Sequence, residues 1–286
     1  MQKLEVYQSL WGMQSCNPDV ATRPHDEVFQ QAADASFSGM CLDPGVSQID
    51  EYLKLKPLYQ EHQMDCLVNV FPSTVAQMRP LLEFSKEMGA PYANVIAPVF
   101  PLTVEGAIPI VRTWLEMADD IGIPIKFETH RDCITNDMFM TLQLLDAVPE
   151  LRLTADLSHY CLNREMSAPI SAANQAWIQR ILERSDSFQG RVSSHEQIQV
   201  PLHFPQNQKW IEIFKDWWQR GFSSWRARAG EDDTLIFLCE LGPPEYAFTD
   251  ANNEELSDRF AEALLIRSWV EAIWQKLESI SGNYAH

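Results

Sequence analysis

Eight short β-type runs alternate with helical stretches along the 286 residues, several runs are apolar almost throughout, and no glycine-rich phosphate turn follows an early run. Together these observations predict a single α/β domain, residues 1–286, folded as a (β/α)8 TIM barrel. The β-type runs are Leu4–Met13, Gly39–Gly45, Asp65–Phe71, Tyr92–Phe100, Ile123–His130, Leu151–Tyr160, Gly190–Gln199 and Thr234–Pro243. Their starts are about 25 to 45 residues apart, the size of a βα unit. DCLVNVF at 65–71 and TLIFLC at 234–239 read as strands covered on both faces, as in parallel sheets. Between the runs, Asp26–Ser36, Val46–Gln63, Thr74–Met88 and Val104–Ile121 carry apolar residues at three- and four-residue spacing. Ser73 and Thr103 stand at N-cap positions, and Gly89 and Gly122 follow helix ends. Asn136–Val148, Ser171–Phe188, Gln206–Arg228 and Glu254–Ile280 complete the helical set, and Ser281–His286 reads as a loose tail. An open doubly wound sheet is the competing architecture. It calls for a GxGxxG or GxxxxGK[ST] turn, which the chain and its 11 glycines do not contain.

Forty acidic against 22 basic residues give a net charge of −18, which leaves no broad cationic face for nucleic acid. No apolar run approaches the roughly 20 residues that span a bilayer. Met1–Gln8 lacks a basic segment followed by an apolar one, so no signal peptide is expected. The six cysteines, Cys16, Cys41, Cys66, Cys133, Cys161 and Cys239, form no CxxC pair and mostly adjoin apolar runs. They predict a reduced, cytoplasmic protein.

The polar residues of interest fall where the later runs end. Run five ends in Lys126-Phe127-Glu128-Thr129-His130-Arg131, run six in Ala155-Asp156-Leu157-Ser158-His159, and run eight in Cys239-Glu240-Leu241-Gly242; run seven contains Ser193-Ser194-His195-Glu196. Barrel chemistry sits at the C-terminal ends of the strands. Taken singly, each residue has an ordinary structural role: Asp156 as a helix cap, His195 as a core histidine, Glu128 and Glu240 as partners of Lys126 or Arg131. Taken together, three carboxylates and an imidazole on four successive strand ends would repel one another without a cation, so Glu128, Asp156, His195 and Glu240 read as one divalent-metal site. Three oxygen donors and one nitrogen suit Mn²⁺ first, then Mg²⁺ or Co²⁺, with Zn²⁺ also open.

The segments FETHR (127–131), ADLSH (155–159), SSHE (193–196) and CELG (239–242) resemble the sugar phosphate isomerase/epimerase family, whose fold is the xylose-isomerase-like TIM barrel. The resemblance implies that Glu128, Asp156, His195 and Glu240 hold the metal and that Glu128 and Glu240 also move protons. It implies that His159, with His130 and Arg131, contacts a sugar or polyol substrate. The activity implied is isomerisation or epimerisation by proton abstraction α to a carbonyl, through a metal-stabilised enediolate. A lyase acting on a keto-sugar, keto-inositol or 3-keto-glycoside would use the same site, and a non-catalytic sugar-binding barrel is the third reading. Two departures stand out. Many members carry an arginine shortly after the strand-seven histidine, whereas His195 is followed by Glu196-Gln197-Ile198-Gln199-Val200-Pro201, which leaves Arg131 for that work. The early strand ends offer Gln8, Asp43 and Asn69 and no histidine, unlike the DNA-repair endonucleases that share the barrel.

His25, His62, His203 and His286 are expected on the surface. Trp217, Trp218 and Trp225 on the seventh helical segment predict a core face or an interface between copies of the chain. The loops Gln197–Gln206 and Leu241–Asn253 are placed to shape a pocket or lid.

Overall fold

The computed structural model describes residues 1–14 and 23–282. Eight parallel strands close into a barrel in chain order. They are β1 Lys3–Ser9, β2 Gly39–Leu42, β3 Asp65–Val70, β4 Ala93–Val95, β5 Ile125–Glu128, β6 Leu153–Ala155, β7 Ser185–Gln189 and β8 Thr234–Cys239. The TIM barrel expected from the sequence is therefore what forms. The longest register is the closing one, in which β1 pairs with β8 from Lys3↔Thr234 to Gln8↔Cys239. Cys16 lies outside the described residues; the other five cysteines are free and buried. Among the described residues no helix is long and apolar enough to cross a membrane.

The helices are α1 His25–Asp34, α2 Ile49–Tyr52, α3 Lys56–Glu61, α4 Met78–Glu87, α5 Val104–Ile121, α6 Met138–Ala147, α7 Leu157–Asn163, α8 Ala172–Leu182, α9 Gln208–Arg226 and α10 Arg259–Gly282. Helix α5 illustrates how the sequence sets them. Thr103 Oγ1 accepts from the Gly106 amide, and Gly122 ends the helix in the left-handed region at φ 77°. Ala107, Val111, Trp114 and Ala118 form its buried stripe. The expected helix 46–63 is broken into α2, α3 and two 3-10 turns, with Pro57 in the first turn of α3. Helix α10 starts at Arg259, where Asp258 Oδ1 accepts from the amides of Phe260 and Ala261. It takes in Ser281 and Gly282 of the expected tail; 283–286 lie outside the described residues. The tryptophans of α9 serve the chain's own core: Trp217, Trp218 and Trp225 are buried, and Trp218 meets Phe237 of β8 edge to face. His62 departs from the surface expectation. Its ring packs by Phe29 and bonds Asp26 at 2.8 Å.

One strand departs from its expected place. β7 occupies Ser185–Gln189, across the end of the stretch 171–188 expected to be helical, and the expected run Gly190–Gln199 lies beyond the strand. The cause is polarity. Phe188 faces out onto Phe222 of α9, whereas Ser187 faces in, meeting Tyr92 Oη at 2.5 Å and donating to the Ile236 carbonyl at 3.0 Å. An inward face of Ser187 and Gln189 carries no apolar signal. Gly190 then lets the chain leave the barrel wall, since a Cβ there would lie 2.6 Å from the Phe237 ring.

Candidate active site at the barrel mouth

The C-terminal strand ends converge on a buried polar network. β3 contributes Asn69, β4 contributes Asn94, β5 ends in Glu128, β7 ends in Gln189, Asp156 follows β6, and Glu240 follows β8. Arg191, two residues past β7, enters the centre with its side chain 1% exposed. Its Nη1 donates to Asp156 Oδ2 at 2.5 Å and its Nη2 to Glu240 Oε2 at 2.8 Å. Asp156 Oδ1 caps α7 by accepting from the Ser158 amide at 2.9 Å and from its hydroxyl at 2.5 Å. Glu240 Oε1 accepts from Asn69 Nδ2 at 3.1 Å. Glu128 Oε2 accepts from Asn94 Nδ2 at 2.5 Å and Gln189 Nε2 at 2.8 Å, while its Oε1 has no partner.

Electrostatics sort the three carboxyls. Burial pushes Asp156 up, but the Arg191 guanidinium and then His159 outweigh it and hold Asp156 below the usual carboxylate range. Burial raises Glu240; Arg191 opposes this and Asp156 adds to it, so Glu240 ends above its ordinary value. Glu128 is raised further, by burial and then by the charges of Glu240 and Asp156, with no guanidinium bonded to it. Asp43, which accepts from Asn69 at 2.7 Å, is pushed up to about 8 by burial and by Glu240. Arg191 ends above its ordinary value: burial lowers it, and Asp156 and Glu240 more than compensate.

Two histidines adjoin the acids. His159 Nε2 lies 3.3 Å from Asp156 Oδ2, and its Nδ1 is buried without a partner. The rings of His130 and His159 have centroids 3.9 Å apart. Burial lowers both; the neighbouring His159 lowers His130 further, and Arg191 and Arg131 lower His159 against the opposing pull of Asp156. Tyr246, from the loop after β8, covers the mouth. The Arg131 and Arg191 guanidinium carbons each lie 4.9 Å from its ring centroid. That loop is tied to the loop after β7: Gln199 donates to the Gly242 carbonyl at 3.0 Å and accepts from its amide at 2.8 Å.

The structure thus brings together Glu128, Asp156 and Glu240, with His159 and His130 beside them and Arg131 at the rim. It does not bring in His195, which lies six residues beyond β7, stacks on Trp210 at 5.5 Å and comes within 3.7 Å of Glu196. Among the described residues, the groups with ligand atoms within 4.8 Å of one another here are Glu128, Asp156, Glu240 and Glu128, His130, His159. The position His195 was expected to fill belongs to Gln189 and Arg191, which the displaced strand kept out of view. Lys126 is no partner for Glu128: its ammonium lies toward the other end of the barrel, over the Tyr92 ring and bonded to the Asp186 carbonyl. A cavity of about 640 Å³ at that end is lined by Tyr7, Asp65, Tyr92 and Lys126; it is the barrel end associated with stability.

Three carboxylates at this spacing are a donor set for a hard divalent ion. In this arrangement, however, the site does not fit one held by all three. Asp156 Oδ2 and Glu240 Oε2 are committed to Arg191, and the remaining oxygens of both residues to Ser158 and Asn69. Glu128 Oε1 alone is free.

The sequence matches no family model and no curated protein. Solved structures share the fold. A xylose isomerase-like TIM barrel protein from Mycobacterium smegmatis, in complex with magnesium, superposes with a TM-score of 0.61 at 12% identity, covering 96% of this chain and 97% of that one. D-allulose 3-epimerase from Methylomonas sp. gives 0.60 at 15% identity, covering 96% and 99%. The probable 3-DHS dehydratase AsbF from Bacillus anthracis gives 0.56 at 12% identity, covering 85% and 94%. At these identities the likeness establishes the fold alone: the chain is a (β/α)8 TIM barrel like theirs.

Proposed function

We propose that this barrel isomerises or epimerises a sugar or related α-hydroxycarbonyl compound by moving a proton α to the carbonyl. The observation that carries the reading is the pair of buried glutamates with raised proton affinity, Glu128 and Glu240, the second bonded to the fixed charge of Arg191. Glu128, whose Oε1 is unpartnered, takes the α-proton. The C–H electron pair becomes the C=C bond of an enediolate, and the carbonyl π pair moves onto oxygen. Glu240 returns a proton from the other side. Burial raises the proton affinity of both groups above that of an ordinary carboxylate, the direction a proton shuttle needs. His159 Nδ1 is available to a substrate hydroxyl, and Arg131 and His130 border the distal end of the substrate. The epimerase of like fold has been solved in complex with D-allulose, which supports a sugar-sized ligand.

The sequence reading gives the charge-stabilising role to one divalent ion, Mn²⁺ before Mg²⁺, Co²⁺ or Zn²⁺. The magnesium complex of a like fold supports it, the two Arg191 ion pairs stand against it, and neither proton transfer depends on it. A second reading is elimination, in which the enediolate expels a β-oxygen. It is favoured by the likeness to a dehydratase. The test is solvent exchange: a panel of ketoses in D₂O, followed by proton NMR. Loss of α-proton exchange in folded Glu128→Gln and Glu240→Gln is expected, with an epimer or aldose as product. Exchange at the wild-type rate in both variants rules the mechanism out, and an enone in place of an epimer selects elimination.

A further inference from the structure

Arg191 occupies the centre that the three carboxylates surround. Its terminal nitrogens bond two of them, its side chain is 1% exposed, and the Tyr246 ring lies against it. A guanidinium is charged at every working pH, and its fork presents donors in fixed directions. Nη1 reaches Asp156 and, at 3.4 Å, His159 Nε2, and Nη2 reaches Glu240. The single N–H on Nε is buried and without a partner. A buried N–H lacking an acceptor is costly, so the arrangement is complete only when something accepts from it. Among the other orphaned atoms of the centre, Glu128 Oε1 and His159 Nδ1 belong to groups that would face an α-hydroxycarbonyl: a base for the α-proton and a partner for the hydroxyl.

We propose that Arg191 is the permanent cation of this site, in the place of a divalent ion, and that its Nε–H donates to the substrate's carbonyl oxygen as negative charge gathers there. The second half rests on the proton-transfer reading given above. When the C–H bond breaks and its proton passes to Glu128, the electron pair displaced onto the carbonyl oxygen meets a donor that is already charged and already oriented. The charge returns to the carbon frame when the proton comes back from Glu240, and Arg191 stays protonated throughout. Asp156, which holds Arg191 and caps α7, is a positioning residue in this scheme.

The test uses the full chain, stripped with EDTA and then titrated separately with Mn²⁺, Mg²⁺, Co²⁺ and Zn²⁺. Bound metal is read by mass spectrometry, Tm by scanning fluorimetry, and α-proton exchange by NMR in the same samples. Wild type is expected to hold no stoichiometric ion, to keep its Tm and to exchange α-protons equally with and without EDTA. Arg191→Ala, freed of the guanidinium, is expected to take up one Mn²⁺ and gain about 5 °C in Tm at a hundredfold excess over Kd. Arg191→Lys keeps the charge and is expected to refuse the ion and to lose exchange with the Nε donor, so the comparison stands even if the alanine variant fails to fold. One tightly bound equivalent of metal in wild type, or exchange abolished by EDTA, overturns the proposal. Refusal of metal by wild type without exchange on any keto-sugar supports the first half and overturns the proton-transfer reading on which the second depends.

Discussion

Replacing Arg191 by methionine keeps much of the volume and removes the charge between Asp156 and Glu240, whose side chains are 0% and 6% exposed. Removing one partner of a buried ion pair costs about 3–5 kcal/mol, because the other charge is left uncompensated. The low end applies here: Asp156 keeps both Ser158 bonds and Glu240 keeps Asn69. At about 2–3 °C per kcal/mol for a chain of this size, the expected fall in Tm is about 6 to 9 °C. The dependence on pH carries the argument. In wild type the folded Asp156 lies below its unfolded value, so its contribution is present above the unfolded pKa and lost as pH falls through the folded one. In the variant, burial acts without Arg191, and both carboxyls lie above their unfolded values. A folded state that binds more protons than the unfolded one gains stability as pH falls. The deficit is therefore greatest at pH 8 and narrows by up to about 1.4 kcal/mol per pH unit for each carboxyl toward pH 5. Urea unfolding followed by circular dichroism at pH 8, 7, 6 and 5 measures this. A deficit equal at pH 8 and pH 5, or absent at pH 8, refutes the reasoning.

Other outcomes follow from features further out. Burial lowers Lys126 from 10.5 to about 7. A depressed lysine penalises the fold fully below its folded pKa, and the penalty fades as pH rises toward the unfolded one; the displacement is worth at most about 5 kcal/mol. Lys126→Met should accordingly raise the urea midpoint at pH 6 and lose that advantage by pH 10; no gain at pH 6 would show that the Asp186 and Tyr92 contacts compensate. Gly190→Ala places a Cβ 2.6 Å from the Phe237 ring and should cost about 1–3 kcal/mol in a chemical melt. Trp114→Ala, in the fully buried stripe of α5, should cost about 3–5 kcal/mol by the same measurement, and a loss under 1 kcal/mol would mean that the shell there collapses to fill the gap.

The barrel and three of its acidic residues were legible because Glu128, Asp156 and Glu240 each close or follow an apolar run whose end is unmistakable. β7 was not legible. A strand whose inward residues are Ser187 and Gln189 carries its apolar residue, Phe188, outward, so the adjacent stretch around Val192 looked more strand-like. That displacement put His195 where a ligand was sought and left Arg191 in a strand interior. A search for metal-binding residue types also passes over arginine, since guanidinium is a donor that binds no cation. The missing arginine was sought after His195, although the chain supplies one four residues before it. Asn69, Asn94 and Gln189 were hidden by their ordinariness: an amide at a strand end signals chemistry only when its acceptor is known to be a buried carboxylate.

The closing register between β1 and β8 bears on the order of events at the ribosome. Six residue pairs, Lys3↔Thr234 to Gln8↔Cys239, join the first strand to the last. At synthesis rates of about 5–20 residues per second, β1 waits on the order of 10 to 45 s for its partner. Through that interval its open edge is exposed, and Glu240, the second anchor of Arg191, has not yet emerged. The mouth can form only after the ring has shut, so growing chains should reach for chaperones late, and a chain truncated before Thr234 should aggregate with seven strands made and an unfinished acidic centre.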